Sequence, residues 1–175
     1  SDYLNSKNIL FSNLIFKELN YYLSLMVVDS LIQDIKYADL TNIKIQEVKG
    51  RFEIVNDSPV KIIDGAHNYE GVEILLRNYE NKYGHLNTDL FVGFKKGKDI
   101  NNIFNLIIGK TNYNLHLIED DTFFDQEITK EIGYLLDKHG KNYKISSLEQ
   151  FNRNKNPSIL LGSLYLIGEY KKRNI

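Results

Sequence analysis

The chain has 175 residues, of which 42% are hydrophobic and 26% charged, and its formal net charge is −1. This length is sufficient for one α/β domain with some additional structure and too short for two full domains. The near-neutral charge argues against nucleic acid or an anionic membrane as a partner. The sequence contains no cysteine, which excludes disulfides, thiolate metal sites and a cysteine nucleophile and is compatible with a reducing cytoplasm.

The sequence as given is expected to be neither a membrane-spanning chain nor a complete translation product. No apolar run approaches the roughly 20 residues that a membrane-spanning helix requires. The chain begins Ser1-Asp2-Tyr3 without the features of a signal peptide, and Met26 is its only methionine. We therefore expect a trimmed piece of a longer cytoplasmic protein.

Residues 14–36 have the spacing of an amphipathic helix. Apolar side chains recur every three or four residues along one stripe. The stripe includes Leu19, Leu23, Met26, Val27 and Leu31. Left unpaired, it would be an adhesive face that must fold back or associate. The pattern breaks down between Tyr37 and Glu47.

Short β-branched runs then alternate with helix-like segments. Lys49–Val55 is predicted to be extended and Asn56–Pro59 to form a turn. Strands are predicted at Val60–Ile63, Asp89–Val92, Leu115–Ile118, Tyr143–Ile145 and Ser158–Leu161. Helices are predicted at Asn68–Tyr83, Asp99–Ile108, Asp125–Lys138, Ser147–Phe151 and Tyr165–Lys172. Alternating strands and helices indicate βαβ crossovers, so we expect a doubly wound, mostly parallel Rossmann-like sheet with an extra N-terminal helix.

Ligands of such sheets bind at the carboxyl ends of the strands. The places to inspect are therefore Asp64–Asn68, Gly93–Asp99, Glu119–Asp125 and Gly162–Tyr165.

The first of these places combines several useful residues. Asp64 at a strand end can accept two hydroxyl hydrogen bonds, as a ribose needs, and Gly65 permits a close backbone approach. Asn68 is a good N-cap for a helix whose start offers free N–H groups to an anion, and His67 lies in the same mouth. From spacing alone, a capped turn holding a satisfied histidine explains these residues at least as well.

Two glycine-lysine segments imitate a phosphate loop. Gly93–Asp99 has one residue too few between its glycines and lacks the hydroxyl that would hold magnesium. Gly109–Thr111 has Phe104 where the first glycine belongs, and it follows a helix. We therefore expect this chain alone not to hydrolyse ATP.

The four histidines do not form a predicted zinc site, because no pair has the i, i+4 spacing of helical ligands. His85 and His139 lie beside glycines at predicted helix ends and are expected to be solvated or to act as caps. His116 alternates with leucines on a strand and is expected to be structural. His67 is distinguished by its neighbours.

Three segments, read together, resemble a known family. They are Gly50-Arg51-Phe52-Glu53, Asp64-Gly65-Ala66-His67-Asn68 and Gly162-Ser163-Leu164-Tyr165-Leu166-Ile167-Gly168-Glu169. In residue identity, order and separation, these segments resemble those of the C-terminal domain of folylpolyglutamate and dihydrofolate synthases, within the Mur-ligase-like group. The resemblance covers residues 49–175, and residues 14–36 more weakly resemble the helix that closes the family's central ATPase domain. It implies a remnant of that domain at 1–48, a connector at 49–58 and a ligand-binding domain at 59–175.

The resemblance also implies roles for individual residues. Arg51 would reach the ATP phosphates, and Asp64 would hold the ATP ribose. His67, as the catalytic candidate, and Asn68 would lie between the nucleotide and the incoming glutamate. Ser163 would bind a glutamate carboxylate with Tyr165 close by.

The implied reaction joins L-glutamate to a folate or dihydropteroate through an acyl phosphate. ATP and Mg²⁺ would take part, with the phosphate loop and the metal ligands in a missing N-terminal ATPase domain. The sequence departs from the family's usual residues at Lys49, Tyr69 and Gly97, which indicates a divergent member. Two alternatives are a stand-alone Rossmann-like module that holds a nucleotide or a partner without catalysis, and another Mur-type amino-acid ligase with a different acceptor.

Overall fold

The computed structural model describes residues 48–119 and 126–173, together with Leu23, Ser24, Met26, Val27 and Leu31. These five residues are helical, in agreement with the helix predicted across 14–36, and the rest of that segment lies outside the described residues. Residues from Val48 onward form one compact unit. In the part of the chain that is described, no helix is long and apolar enough to cross a membrane.

Strands and helices alternate through this unit. The strands are β1 (Glu53–Asp57), β2 (Val60–Asp64), β3 (Thr88–Val92), β4 (Tyr113–Ile118), β5 (Tyr143–Ser146) and β6 (Ser158–Leu161). The helices are α1 (Tyr69–Tyr83), α2 (Ile100–Ile108), α3 (Gln126–Lys138), α4 (Leu148–Arg153) and α5 (Leu164–Arg173). Each predicted strand and helix from Val60 onward is present, with ends that differ by one or two residues.

The strands form one sheet in the order β1-β2-β6-β3-β4-β5. The five strands from β2 to β6 are all parallel, and β1 pairs with β2 in the antiparallel direction at one side of the sheet. Helices α1, α2 and α3 pack on one face, and α4 and α5 pack on the other. The predicted doubly wound, mostly parallel sheet is therefore confirmed.

The core lies on both faces of the sheet, because the central strands are buried along their whole length. Ile62, Leu90 and Ile159 pack toward α1–α3, whereas Phe91 and Leu160 point toward α4 and α5. Such two-sided burial explains why these strands read as continuous apolar runs instead of alternating ones.

The segment before β2 differs from the prediction. Lys49–Gly50 is a turn and Arg51–Phe52 a bend, so the strand begins at Glu53 and extends through Asp57. Asn56 and Asp57 belong to this strand because they pair with residues of β2, which confines the hairpin turn to Ser58–Pro59. Antiparallel pairing at an edge leaves one strand face open to water, and that permits the polar residues that suggested a longer turn.

Three helices begin at N-caps, and the one at Asn68 was predicted. Asn68 caps α1 and Asp99 caps α2, each through a side-chain oxygen that accepts a backbone N–H of the first turn. Ser147 precedes α4 and forms a capping box with Gln150. These caps fix where three helices begin.

Candidate functional site

The loops that follow β2, β3 and β6 meet at the edge of the sheet where the carboxyl ends of the parallel strands lie. β6 lies between the other two strands, and its last residue, Leu161, is in register with both Asp64 and Val92. The chain leaves β2 and β3 toward one face and leaves β6 toward the other. Ligand crevices of open α/β sheets form where neighbouring connections part in this way. This edge holds three of the four places predicted from the sequence; of the fourth, only Glu119 lies within the described residues.

A tight turn before β1 brings Arg51 to this edge. Gly50 has a φ of 73°, which glycine adopts without steric cost, and its carbonyl oxygen accepts the N–H of Gly65 at 2.8 Å. Phe52 has a φ of 44°, a conformation that its side chain disfavours. The surroundings must therefore hold Phe52 in place. Arg51 lies between these two constrained residues.

The carboxylate of Asp64 supplies that constraint. Oδ2 accepts the N–H of Phe52 and Oδ1 accepts the N–H of Ala66, each at 2.7 Å. Burial raises the pKa of Asp64, while the two N–H bonds and the charge of Arg51 act in the opposite direction. The side chain is only 11% exposed. A ribose bound here would have to share the remaining lone pairs of oxygens that already hold the chain.

The guanidinium of Arg51 faces the same carboxylate but does not donate a hydrogen bond to it. Its Nη1 lies 3.8 Å from Oδ1 of Asp64, and the side chain is 40% exposed. At this distance the contact is an ion pair and not a hydrogen bond, so it orients the guanidinium while leaving its donors for a ligand. A planar, permanently charged fork is suited to phosphate or carboxylate oxygens.

His67 folds back on its own loop. Its Nδ1 lies 2.8 Å from the carbonyl oxygen of Gly65. Because a carbonyl can only accept, this bond assigns the ring hydrogen to Nδ1 and leaves Nε2 of the neutral ring as an acceptor. The half-buried ring therefore offers one basic nitrogen in a fixed orientation.

Asn68 begins α1 as predicted. Its Oδ1 accepts the N–H of Gly71 at 3.1 Å, and its carbonyl oxygen accepts the N–H of Val72 at 3.0 Å. Glu70 adds a negative charge in the first turn. That charge stabilises the helix but opposes an anion at the same end. The start of α1 is thus a weaker anion site than the sequence pattern suggested.

Ser163 plays the corresponding part before α5. Its Oγ accepts the N–H of Tyr165 at 3.2 Å, and its carbonyl oxygen accepts the N–H of Ile167 at 3.1 Å. Since Oγ is the acceptor in the first bond, its hydroxyl hydrogen is left for another acceptor, such as a carboxylate. The residue is 6% exposed, so it is held within the crevice edge.

Tyr165 connects the loop after β6 to the loop after β3. The Nζ of Lys95 lies 3.7 Å from the centre of the Tyr165 ring, a cation–π contact. The tyrosine itself is 65% exposed. Sequence reasoning assigned no role to Lys95, because nothing in the sequence relates residues 70 positions apart.

Glycines let α5 approach the other two segments closely. A Cβ atom at Gly65 would overlap Cδ2 of Leu164, and one at Gly50 would lie 3.2 Å from Cγ2 of Ile167. The three segments that carry the family resemblance are thus in mutual contact at one edge of the sheet.

The loop Gly93–Asp99 is not a phosphate cradle. Asp99 uses Oδ1 to accept the N–H of Asn102 at 3.3 Å and Oδ2 to accept its side-chain amide at 2.7 Å. The start of α2 is therefore occupied by the chain's own carboxylate, which gives Asp99 a capping role.

The described residues do not fit a magnesium site. Among them, no three or more His, Asp and Glu side chains are grouped so as to hold a metal ion. Asp64, the carboxylate predicted to hold the ATP ribose, uses both oxygens to accept backbone N–H groups.

The remaining histidines lie away from the site. His116 stacks on Phe91 with ring centres 4.3 Å apart, and its Nδ1 is 2.9 Å from Oγ of Ser146. Burial lowers the pKa of His116 against the opposing charge of Asp89, whose Oδ1 lies 3.8 Å from Nε2. These packing contacts agree with the structural role expected of His116. His85 and His139 are exposed beside the glycines at helix ends.

Sequence reasoning also missed an ion pair beside the Arg51 turn. Glu53 receives two hydrogen bonds from Nζ of Lys171, at 2.8 and 2.6 Å. Glu53 belongs to the Gly-Arg-Phe-Glu segment, which could have drawn attention to it. Nothing in the sequence indicates which of the three basic residues that end α5 would reach it.

The strand order and the gathered loops define an open, doubly wound α/β domain with charged and hydrogen-bonding groups at its topological switch point. Solved structures share this fold. Folylpolyglutamate synthase from Thermotoga maritima is 21% identical with a TM-score of 0.62, over 86% of this chain and 36% of that chain. Helicobacter pylori folylpolyglutamate synthetase is 20% identical with a TM-score of 0.62, over 86% of this chain and 38% of that one.

A third similar structure is the ligand-free bifunctional folylpolyglutamate synthase/dihydrofolate synthase of Yersinia pestis. It is 17% identical with a TM-score of 0.63, over 87% of this chain and 38% of that chain. At these identities the likeness establishes a shared fold, and the proteins that share it are those that the three sequence segments resemble. The chain spans little more than a third of the length of each. No family model matches the sequence, and no curated protein matches it either.

Proposed function

We propose that this chain is the ligand-binding domain of an ATP-dependent folylpolyglutamate or dihydrofolate synthase, which adds L-glutamate to the carboxylate of a folate or pteroate. One observation carries the proposal. Three separate segments of the sequence contact one another at the proposed ligand-binding edge of a fold that solved synthases share. They are Gly50–Glu53, Asp64–Asn68 and Gly162–Tyr165.

Ligands of the similar structures support a nucleotide and a folate-type substrate. A second Yersinia pestis structure is complexed with AMPPNP and a Mn ion, and E. coli FolC is in complex with DHPP and ADP. On this proposal Arg51 contacts the ATP phosphates and Asp64 the ribose. Asn68 orders the start of α1 beside the nucleotide.

The proposed reaction has two steps. A carboxylate oxygen of the folate attacks the terminal phosphorus of ATP, which forms an acyl phosphate and releases ADP. The amine nitrogen of glutamate then attacks the acyl carbon, and phosphate leaves as the amide forms. Arg51 stabilises negative charge on the transferred phosphoryl group, and Nε2 of His67 accepts the proton that the nitrogen loses.

The amino acid is held at the start of α5. The Ser163 hydroxyl donates to a glutamate carboxylate, and Tyr165 forms the wall beside it with Lys95 against its ring. The phosphate loop and the magnesium ligands belong, on this proposal, to an ATPase domain that ends within 1–48. Residues 49–58 connect it to the ligand-binding domain at 59–175, which is inactive alone.

Four apolar side chains favour a second candidate, a Rossmann-like module that holds a nucleotide or a partner chain without catalysis. Leu23, Met26, Val27 and Leu31 are between 38% and 75% exposed. An amphipathic helix with such a face is a common means of association. Another Mur-type ligase, with a different acceptor, has the same chemistry and differs only in substrate.

The decisive experiment supplies the full-length protein with ATP, Mg²⁺, L-glutamate and either dihydropteroate or a reduced folate. We expect ADP release that requires both glutamate and the folate compound, with a product heavier by one glutamyl residue. Turnover only with cell-wall precursors would replace the folate assignment by another Mur-type ligase. Nucleotide binding without ADP release would establish the non-catalytic module. The Arg51→Ala variant controls for a contaminating ATPase.

A further inference from the structure

The backbone around Arg51 is held at four points. The N–H of Arg51 itself donates to the carbonyl oxygen of Val48 at 3.2 Å, and Gly65 and Asp64 bind the residues on either side. The fourth point is the N–H of Gly50, which donates to Oε2 of Glu53 at 2.5 Å. Glu53 therefore closes the turn that presents the guanidinium.

Glu53 is in turn anchored to α5. Both of its carboxylate oxygens bind Nζ of Lys171, and each of the two side chains is 25% exposed. Burial alone raises the pKa of Glu53, but the bonds from Lys171 and Gly50 outweigh it and the pKa lies below its ordinary value of 4.5. The carboxylate is thus charged and engaged at neutral pH.

Helix α5 supports the Arg51 turn at two levels. Near its start, Leu164 and Ile167 pack against Gly65 and Gly50. Two turns further along, Lys171 holds Glu53. Ser163 directly precedes the same helix and caps it, so one rigid element connects the residue proposed for glutamate with the residue proposed for phosphate.

We infer that Glu53 is a positioning residue: paired with Lys171, it fixes the Gly50–Phe52 turn so that the Arg51 guanidinium is directed at the nucleotide phosphates. The inference rests on the proposed function through the role of Arg51. The turn has no regular secondary structure of its own to hold it. Its conformation is instead fixed by the Glu53 carboxylate, which accepts hydrogen bonds from a backbone N–H and from a lysine on α5.

The test is a double-mutant cycle in the full-length protein. Glu53→Gln and Lys171→Met are each expected to lower kcat/KM for ATP by about tenfold or more, since small misplacements of a catalytic cation are costly. KM for glutamate is expected to change little. Lys171→Arg keeps the positive charge and can still donate to both oxygens of Glu53, so it should retain most of the activity. In an Arg51→Ala background, Glu53→Gln should cause no further loss in kcat/KM.

A matched control separates positioning from stability. Glu80 and Lys110 form a similarly buried ion pair, with N–O distances of 2.7 and 2.8 Å, near the opposite end of α1. Glu80→Gln should lower Tm as Glu53→Gln does, yet leave kcat/KM unchanged. The positioning role is wrong if Glu53→Gln lowers Tm but leaves kcat/KM unchanged. It is also wrong if Glu53→Gln lowers kcat/KM by the same factor in the Arg51→Ala background.

A measurement on this chain does not depend on ligase activity. Hydrogen exchange should become about tenfold faster at the amides of Gly50 and Phe52 in Glu53→Gln, with the amides of β6 unchanged. Equal protection in both proteins would overturn the inference even if the synthase assignment holds. A wild-type protein without ligase activity would overturn the proposed function, and the exchange data would still decide whether Glu53 fixes the turn.

Discussion

Gly162 and Gly93 touch through their backbones where β6 and β3 end. Gly162 has a φ of 122°, and a Cβ atom there would overlap the carbonyl oxygen of Gly93 and lie 2.8 Å from its carbonyl carbon. The N–H of Gly93 donates to the carbonyl oxygen of Leu161 at 3.1 Å, so the contact cannot open without loss of a sheet hydrogen bond. The edge that carries the site therefore depends on the absence of a side chain.

Gly162→Ala is expected to be strongly destabilising, by about 2–4 kcal/mol, because the new methyl group meets backbone that cannot move aside. Chemical denaturation measures the free energy of unfolding. Gly140→Ala is the control: Gly140 has a φ of 61° with nothing near its Cβ position, so only the left-handed strain of about 1 kcal/mol applies. Equal losses would show that the contact with Gly93 contributes nothing.

Asp64→Asn is expected to cost about 1–3 kcal/mol of stability, because an amide offers one acceptor oxygen where two N–H groups are bound. The same denaturation experiment applies. Asp57→Asn, at an exposed position on β1, should change stability by less than about 0.5 kcal/mol. If Asp64→Asn leaves the free energy of unfolding unchanged, the Asp64 carboxylate does not stabilise the turn.

Arg51→Ala in the full-length protein is expected to lower kcat/KM for ATP by about a hundredfold or more, since the variant loses a permanent charge directed at a developing phosphate charge. Arg51→Lys should recover only part of this, because an ammonium is a compact point charge without the two parallel N–H donors of a guanidinium. Arg153→Ala, which removes a cation that is 78% exposed, should leave the kinetics unchanged. Wild-type kinetics for Arg51→Ala would remove Arg51 from the site.

Ser163→Ala is expected to raise KM for glutamate by about tenfold with a smaller effect on kcat, because a hydrogen bond to a charged carboxylate is lost. The variant also loses the cap of α5, which costs about 1 kcal/mol. Ser147→Ala removes an equivalent cap from α4 and should lower Tm without any change in KM. If both variants behave alike, Ser163 acts only as a cap.

The pH dependence of stability is expected to reveal the Glu53–Lys171 pair. The pKa of Glu53 is lowered in the folded protein, so the unfolded chain binds more protons in this range. The contribution of Glu53 is fully present above its unfolded pKa and is lost as the pH falls through the folded pKa. The stability difference between wild type and Glu53→Gln should therefore be largest near neutrality and shrink as the pH falls below 4.5, the ordinary pKa of a glutamate. A constant difference across this range would contradict the ion pair.

Much of the fold was predictable because its signals are local. Val60–Ile63 and Ser158–Leu161 are short apolar runs between turn residues, and Asn68 and Asp99 have the chemistry of N-caps. The position of β6 between β2 and β3 was not predictable, because helices of similar length connect neighbouring and distant strands alike.

The site was predictable in its members but not in its contacts. Asp64 and Arg51 stand out through the segments they belong to, whereas the partners of Asp64 are backbone N–H groups, which every residue carries. The contacts of Lys95 with Tyr165 and of Glu53 with Lys171 join side chains 70 and 118 positions apart. Such pairs follow from the strand order, which only the structure supplies.

Among the described strands, β6 comes last in the sequence and yet lies in the middle of the sheet. β2 and β3 do not pair with each other; each pairs with β6. Without Ser158–Leu161 the sheet is divided into two parts, β1–β2 and β3–β4–β5, and their open edges are able to pair wrongly. A premature stop before β6 would therefore not shorten the domain at its margin; it would leave the two halves without the strand that joins them.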